Sequence, residues 1–207
     1  MTAEDKNGRS KTPKGKASKG RILDMAEEIF SQKGFIASSV SDVVHGLGIS
    51  AGALYHHFPS KKALLAGIAK RSMDRLCEQM DSWLGDENLS PGKKVDLFLQ
   101  AVDDRRRLKK KLAPIEFGIA REDRDVHEMV IQTGLEPITD RLRIIIEEGN
   151  TTGEFAVEYP RATATIIFLQ LSEFMHRSSR LEKIMPADEL ESAMSDSINL
   201  VLKRDVS

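Results

Sequence analysis

The chain has 207 residues, 40% apolar and 5% aromatic, enough for one compact core or for a small domain joined to a larger one; an interior of Leu, Ile, Val, Ala and Met suits packed helices better than a β-sandwich. One cysteine, Cys77, excludes an intramolecular disulfide framework, and with no apolar run of the roughly 20 residues a membrane span needs and no apolar signal segment, a cytoplasmic chain is expected. The net charge of −1 conceals an asymmetry: residues 1–62 hold ten Lys/Arg against six Asp/Glu and residues 63–207 hold 21 against 26, a distribution that would orient the molecule in the field of a polyanion.

Residues 1–19 read as a disordered basic arm carrying Lys6, Arg9, Lys11, Lys14, Lys16 and Lys19. Such an arm either follows DNA phosphates or merely aids solubility. Ile22, Leu23, Ala26, Ile29 and Phe30 recur at helical spacing up to a stop at Gly34. Ser39 can cap a second helix over Val40–Leu47, with Asp42 completing a capping box, and Gly48 breaks it. Ser50 caps a short third helix that ends before Pro59, and Ser60 caps a long fourth one whose apolar face runs from Leu65 to Trp83.

Val95, Phe98, Leu99 and Val102 mark a fifth helix, and Leu112 to Ile119 a short sixth. A seventh carries Val126, Val130, Ile138, Leu142 and Ile145, interrupted by Gly134 and Pro137, where the proline should kink it because it lacks the amide donor and crowds the preceding turn. Pro160 and Pro186 each suit the first position of an eighth and a ninth helix. No segment reads as a strand. The expected fold is all-α with nine helices.

Two short helices around Gly48 form a candidate helix-turn-helix, in which the second helix of the pair offers its N-terminal end to the major groove. Gly48 allows a positive φ in the turn, and Ile49 and Leu54 would hold the helices together. The candidate DNA-binding residues are Ser39, Ser41, Ser50, Ala51, Gly52, Tyr55, His56, His57 and Lys61. The small residues allow close backbone approach, and the others can donate to phosphate oxygens.

The stretch Arg21 to Leu65 resembles the DNA-binding domain of the tetracycline-repressor (TetR) family. The resemblance lies in Ile22-Leu23 with Ala26 and Phe30, Lys33-Gly34-Phe35, Ser38-Ser39-Val40, Gly48-Ile49-Ser50 and Gly52-Ala53-Leu54-Tyr55-His56-His57-Phe58 followed by Lys61. Two positions depart from the pattern: Ala51 stands where relatives often carry Lys, and Val44 replaces a small residue. The resemblance implies a homodimeric repressor, released from a palindromic double-stranded operator by a small-molecule effector. It divides the chain into the arm 1–19, a three-helix DNA-binding domain 20–64, and an effector-binding and dimerisation domain 65–207.

In that last domain Met80, Trp83, Phe98, Phe117, Met129, Phe168, Phe174 and Met175 are candidates for a ligand cavity, with ordinary core as the alternative for each. The final helix carries a single stripe of Leu190, Met194, Ile198, Val201 and Leu202, and the one before it is apolar nearly all round, with Ile166 and Phe174 among its outward candidates. Pairing these helices with their symmetry mates would cover both. Arg105-Arg106-Arg107 with Lys109-Lys110-Lys111 reads as a solvated run. Adjacent His56 and His57 point about 100° apart, and no Cys or carboxylate stands at ligand spacing from His45, His127 or His176, so no metal is expected. The chain carries no nucleophile–base pair, paired-carboxylate motif or phosphate loop, so neither an enzyme nor a cofactor is expected.

Overall fold

The computed structural model describes residues 18–35, 37–112 and 124–203, with side chains at all of these except 106–112, 124–127, 130 and 176–180. Eight helices are seen among the described residues: α1 (Lys19–Lys33), α2 (Val40–Leu47), α3 (Ala51–His57), α4 (Lys61–Leu84), α5 (Pro91–Leu112), α6 (Arg124–Thr152), α7 (Pro160–Leu181) and α8 (Ala187–Leu202). No strand occurs among them. The arm over residues 1–17, the short helix expected beyond Leu112, and Phe117 lie outside the described residues.

Local chemistry sets the front of the fold. Ser18, Ser39, Ser50 and Ser60 each accept a backbone N–H three residues on and so cap α1 to α4. Gly48 closes α2 at φ +62°, left-handed backbone that glycine adopts without a Cβ clash. The backbone N–H of Ile49 returns to the Val44 carbonyl at 3.2 Å, which fixes the entry into α3.

Two apolar cores follow. One gathers Ile22, Ala26, Phe30, Val43, Leu54, Phe58, Leu64 and Ile68 from α1 to α4. The other gathers Leu76, Met80, Phe98, Ile138, Leu142, Ile145, Ile167, Phe168, Ile198 and Leu202 from α4 to α8. Helix α4 runs unbroken through both, and Leu65 packs between them against Phe35 and Met129. Side by side with this packing, Arg71 of α4 ties itself to α1, donating to Asp24 at 2.5 Å and to Glu27.

Pro137 lies inside a single helix, α6, which continues from Arg124 to Thr152 with Pro137 on its exposed side. Only one backbone hydrogen bond is forfeited there, while Thr139 and Arg141 add side-chain bonds to the carbonyls of Leu135 and Pro137 at 2.6 and 2.9 Å. Pro186 is the residue before α8 rather than its first turn. Acidic Asp188 and Glu189 still occupy that turn, where they favour the helix dipole.

Candidate nucleic-acid interface

The outer surface of α3 is built by subtraction. Leu54 and Phe58 are buried and hold the helix to the front core, which leaves Ala51, Gly52, Tyr55 and His56 turned outward on one face. Tyr55 is 50% exposed, and no atom lies within 4 Å of where a Gly52 side chain would begin. His56 meets His57 edge-on at 5.3 Å, with His57 half-buried. A helix end with small residues, free backbone N–H groups and an exposed phenol can sit close to a polyanion and donate to it.

The start of α2 is more committed. The Ser39 hydroxyl accepts from the Asp42 N–H at 3.1 Å and donates to the Asp42 carboxylate at 2.8 Å. Asp42 also takes Lys33 Nζ at 2.7 Å and the Ser39 N–H at 2.7 Å. These bonds, the one from Lys33 foremost, hold the Asp42 carboxyl down at about 2. The hydroxyl proton of Ser39 is thus already engaged, whereas Ser41 is exposed and lies 3.3 Å from His45 Nδ1. Ser50 is exposed while it caps α3.

Lys61 does not stand free in solvent. Its ammonium lies 4.2 Å from the centre of the Phe35 ring, and burial lowers its pKa against the opposing pull of Asp42.

Behind the front core the ligand-cavity candidates separate. Met80, Phe98 and Phe168 are buried core residues, and Trp83 and Met129 are half-buried beside it. Phe174 and Met175 line an open cavity of about 200 Å³ between α5, α7 and α8, together with Leu99, Val102, Leu171 and Met194 and a polar edge of Gln100, Asp103, Glu191 and Ser195. Sequence reasoning missed the α5 wall of this cavity, although Leu99 and Val102 were visible as an apolar pair one turn apart.

The stripe on α8 also resolves differently from expectation. Ile198 and Leu202 are 0% exposed within the single chain, closed off by its own helices, so neither offers a surface to a partner. Leu190, Val201 and Phe174 are half-buried, and Met194 belongs to the cavity wall. Within α7 and α8 the large apolar side chains that point outward are Ile166 at 53%, Leu169 at 43% and Leu200 at 79%. The run at Arg105 differs too: its first guanidinium turns inward, to Ser72 of α4. Among the described residues no three His, Cys, Asp or Glu side chains gather as a metal site would need, and no helix is long and apolar enough to cross a membrane.

Comparison with known proteins agrees with this geometry. Residues 22–68 match the family model described as bacterial regulatory proteins, tetR family. The HTH-type transcriptional regulator YfiR of Bacillus subtilis (strain 168) is 24% identical over 185 residues, 88% of each chain. The HTH-type transcriptional regulator UidR of Escherichia coli (strain K12) is 46% identical over 55 residues, a stretch that spans only 27% of this chain and 28% of UidR. Among solved structures, the transcriptional regulator FadR from Bacillus subtilis in complex with stearoyl-CoA superposes with a TM-score of 0.64 at 18% identity, covering 89% of this chain and 98% of that one.

Proposed function

From its membership of the TetR family of transcriptional regulators, we infer that this chain is a repressor that leaves a palindromic operator when a small molecule occupies its C-terminal domain. The observation that carries the reading is the outward face of α3, where Ala51, Gly52, Tyr55 and His56 stand clear of the front core directly after the left-handed Gly48 turn. Helix α3 is the recognition helix, with Ser50, Ala51 and Gly52 approaching the groove and Tyr55, His56 and His57 meeting flanking phosphates. Ser39, Ser41 and Lys61 border the same surface, Lys61 swinging from Phe35 to a phosphate.

The three-helix DNA-binding domain spans residues 20–64, and residues 65–207 bind effector and dimerise. FadR, which shares the fold, was solved with stearoyl-CoA, and the cavity beside Phe174 and Met175 gives this chain an apolar-lined recess of its own. A cytoplasmic homodimer with its two α3 copies about 34–36 Å apart, one turn of DNA, would read a palindrome. The test is fluorescence anisotropy with labelled duplex from either side of the chain's own gene. Binding in the nanomolar range that falls with the logarithm of salt is expected, and equal affinity for unrelated duplex would refute the reading.

A further inference from the structure

Among the described residues, Arg105 is a half-buried cation with no acid paired to it. Its Nη1 donates to the Ser72 carbonyl at 2.5 Å and its Nη2 to the Ser72 hydroxyl, both on α4. Three other cations drawn against the fold each have an acid. Lys94 has Glu148, Arg71 has Asp24 and Glu27, and Arg141 has Asp81. Arg105 has instead a second guanidinium, Arg75, close enough to repel it, and burial and that repulsion together lower its pKa. A half-buried guanidinium keeps five N–H donors, and Ser72 occupies only part of that fork. Desolvating such a charge without a counter-ion is costly, and a planar oxyanion is the partner its geometry fits best.

We propose that Arg105, with Arg75 beside it, receives the anionic head of the effector, so that the molecule sensed is an apolar compound bearing a carboxylate or phosphate. This rests on the reading of the chain as a ligand-responsive regulator. An apolar body has room next to Arg105: Val102, three residues before it on α5, lines the open cavity shared with Leu99, Phe174 and Met175. The position also supplies a route to the DNA-binding end. Ser72 is bonded to Arg105, and Arg71, the residue before it, holds Asp24 and Glu27 of α1. An anion that draws Arg105 away from Ser72 frees the turn of α4 on which α1 is anchored.

Calorimetric titration of the full chain with matched probes tests this: benzoate against benzamide, and dodecanoate against dodecanol below its aggregation limit, with lauroyl-CoA added to separate a free acid from a phosphate-bearing thioester. At least one anion is expected to bind tenfold or more tightly than its neutral match or, for lauroyl-CoA, than dodecanol, and Arg105→Gln should abolish that preference. Arg75→Gln, at an exposed position where folding is not at stake, should weaken the anion at least threefold and leave the neutral probe unchanged. Operator anisotropy is measured on the same samples. A protein that binds its operator but shows no anion preference, or one whose preference survives in both variants, overturns the proposal and leaves the regulator reading standing. A protein that fails to bind operator yet loses its anion preference on Arg105→Gln overturns the regulator reading and keeps the anion site.

Discussion

Lys94 of α5 is 1% exposed, and both carboxylate oxygens of Glu148 on α6 take its ammonium, at 2.8 and 2.9 Å. The same ammonium reaches the Leu84 carbonyl at 3.3 Å, so one charge closes the C-terminal end of α4 onto α5 and α6. An ion pair this buried contributes little net stability, because desolvation offsets most of the Coulomb attraction, yet removing one member strands the other.

The two halves of the pair are therefore unequal as targets. Glu148→Gln leaves a buried ammonium with only neutral acceptors and should cost about 3 kcal/mol, the lower end of the range because Glu148 itself is partly exposed. Lys94→Met removes the charge that needs compensation, fills a similar volume and leaves a carboxylate that can turn to water. It should cost less than half as much. Urea unfolding of both variants measures the difference, and equal losses would mean that desolvation of Lys94 is not the dominant cost.

Gly52 separates stability from recognition. It lies inside α3 with open space around it, so Gly52→Ala meets no steric barrier and should raise the stability of the front domain by up to about 0.5 kcal/mol through helix propensity. If α3 lies against DNA, the added methyl holds the backbone off, and operator affinity should fall tenfold or more. A variant with higher melting temperature and unchanged affinity would place DNA on another surface.

Asp42 gives the front domain an acid-labile element. Its carboxyl sits near 2 in the fold against an ordinary value of 3.8, so its contribution is complete above about pH 4 and drains away as pH falls toward 2. The gap in melting temperature between the natural chain and Asp42→Asn should be constant from about pH 5 upward and close between about pH 4 and 2. A gap unchanged at about pH 2.5 would assign the effect to something other than ionisation of Asp42.

The caps were legible because they obey rules a few residues long. Ser39 with Asp42, Ser50, Ser60 and the left-handed Gly48 all stand where the spacing of small polar residues and glycine puts them. What the sequence hides is direction and ownership. A run of arginines shows charge density, but whether Arg105 faces water or Ser72 depends on how α5 rolls against α4, a contact 33 residues away in the chain. The stripe on α8 shows which face of the helix seeks burial. It does not show whether the cover comes from the same chain or another, and Ile198 and Leu202 are covered by their own. Pro137 is tolerated inside its helix because packing of Ile138 and Leu142 into the core outweighs one missing hydrogen bond.

That burial redirects the test of assembly. Ile198→Glu would place a carboxylate inside the protomer core and unfold the chain whether or not it dimerises, so it reports nothing about an interface. The informative positions are Ile166 on α7 and Leu200 on α8, outward at 53% and 79%. The two helices are joined by Gln170 Nε2 donating to Ser197 Oγ at 2.8 Å, and Ile166 on α7 and Leu200 on α8 each stand one turn from that bond in sequence. Moving such side chains from water into an interface gains on the order of 1.5–3 kcal/mol each, and a two-fold axis counts each of them twice. The pair Ile166→Glu and Leu200→Glu should therefore leave helical circular dichroism intact and convert a dimer to monomer in sedimentation. It should also lower operator affinity at least a hundredfold with every α3 residue in place, because two half-sites are then bound without the linkage that makes the second binding event intramolecular. A double variant that sediments as a dimer and keeps its operator affinity would move the interface elsewhere on the chain.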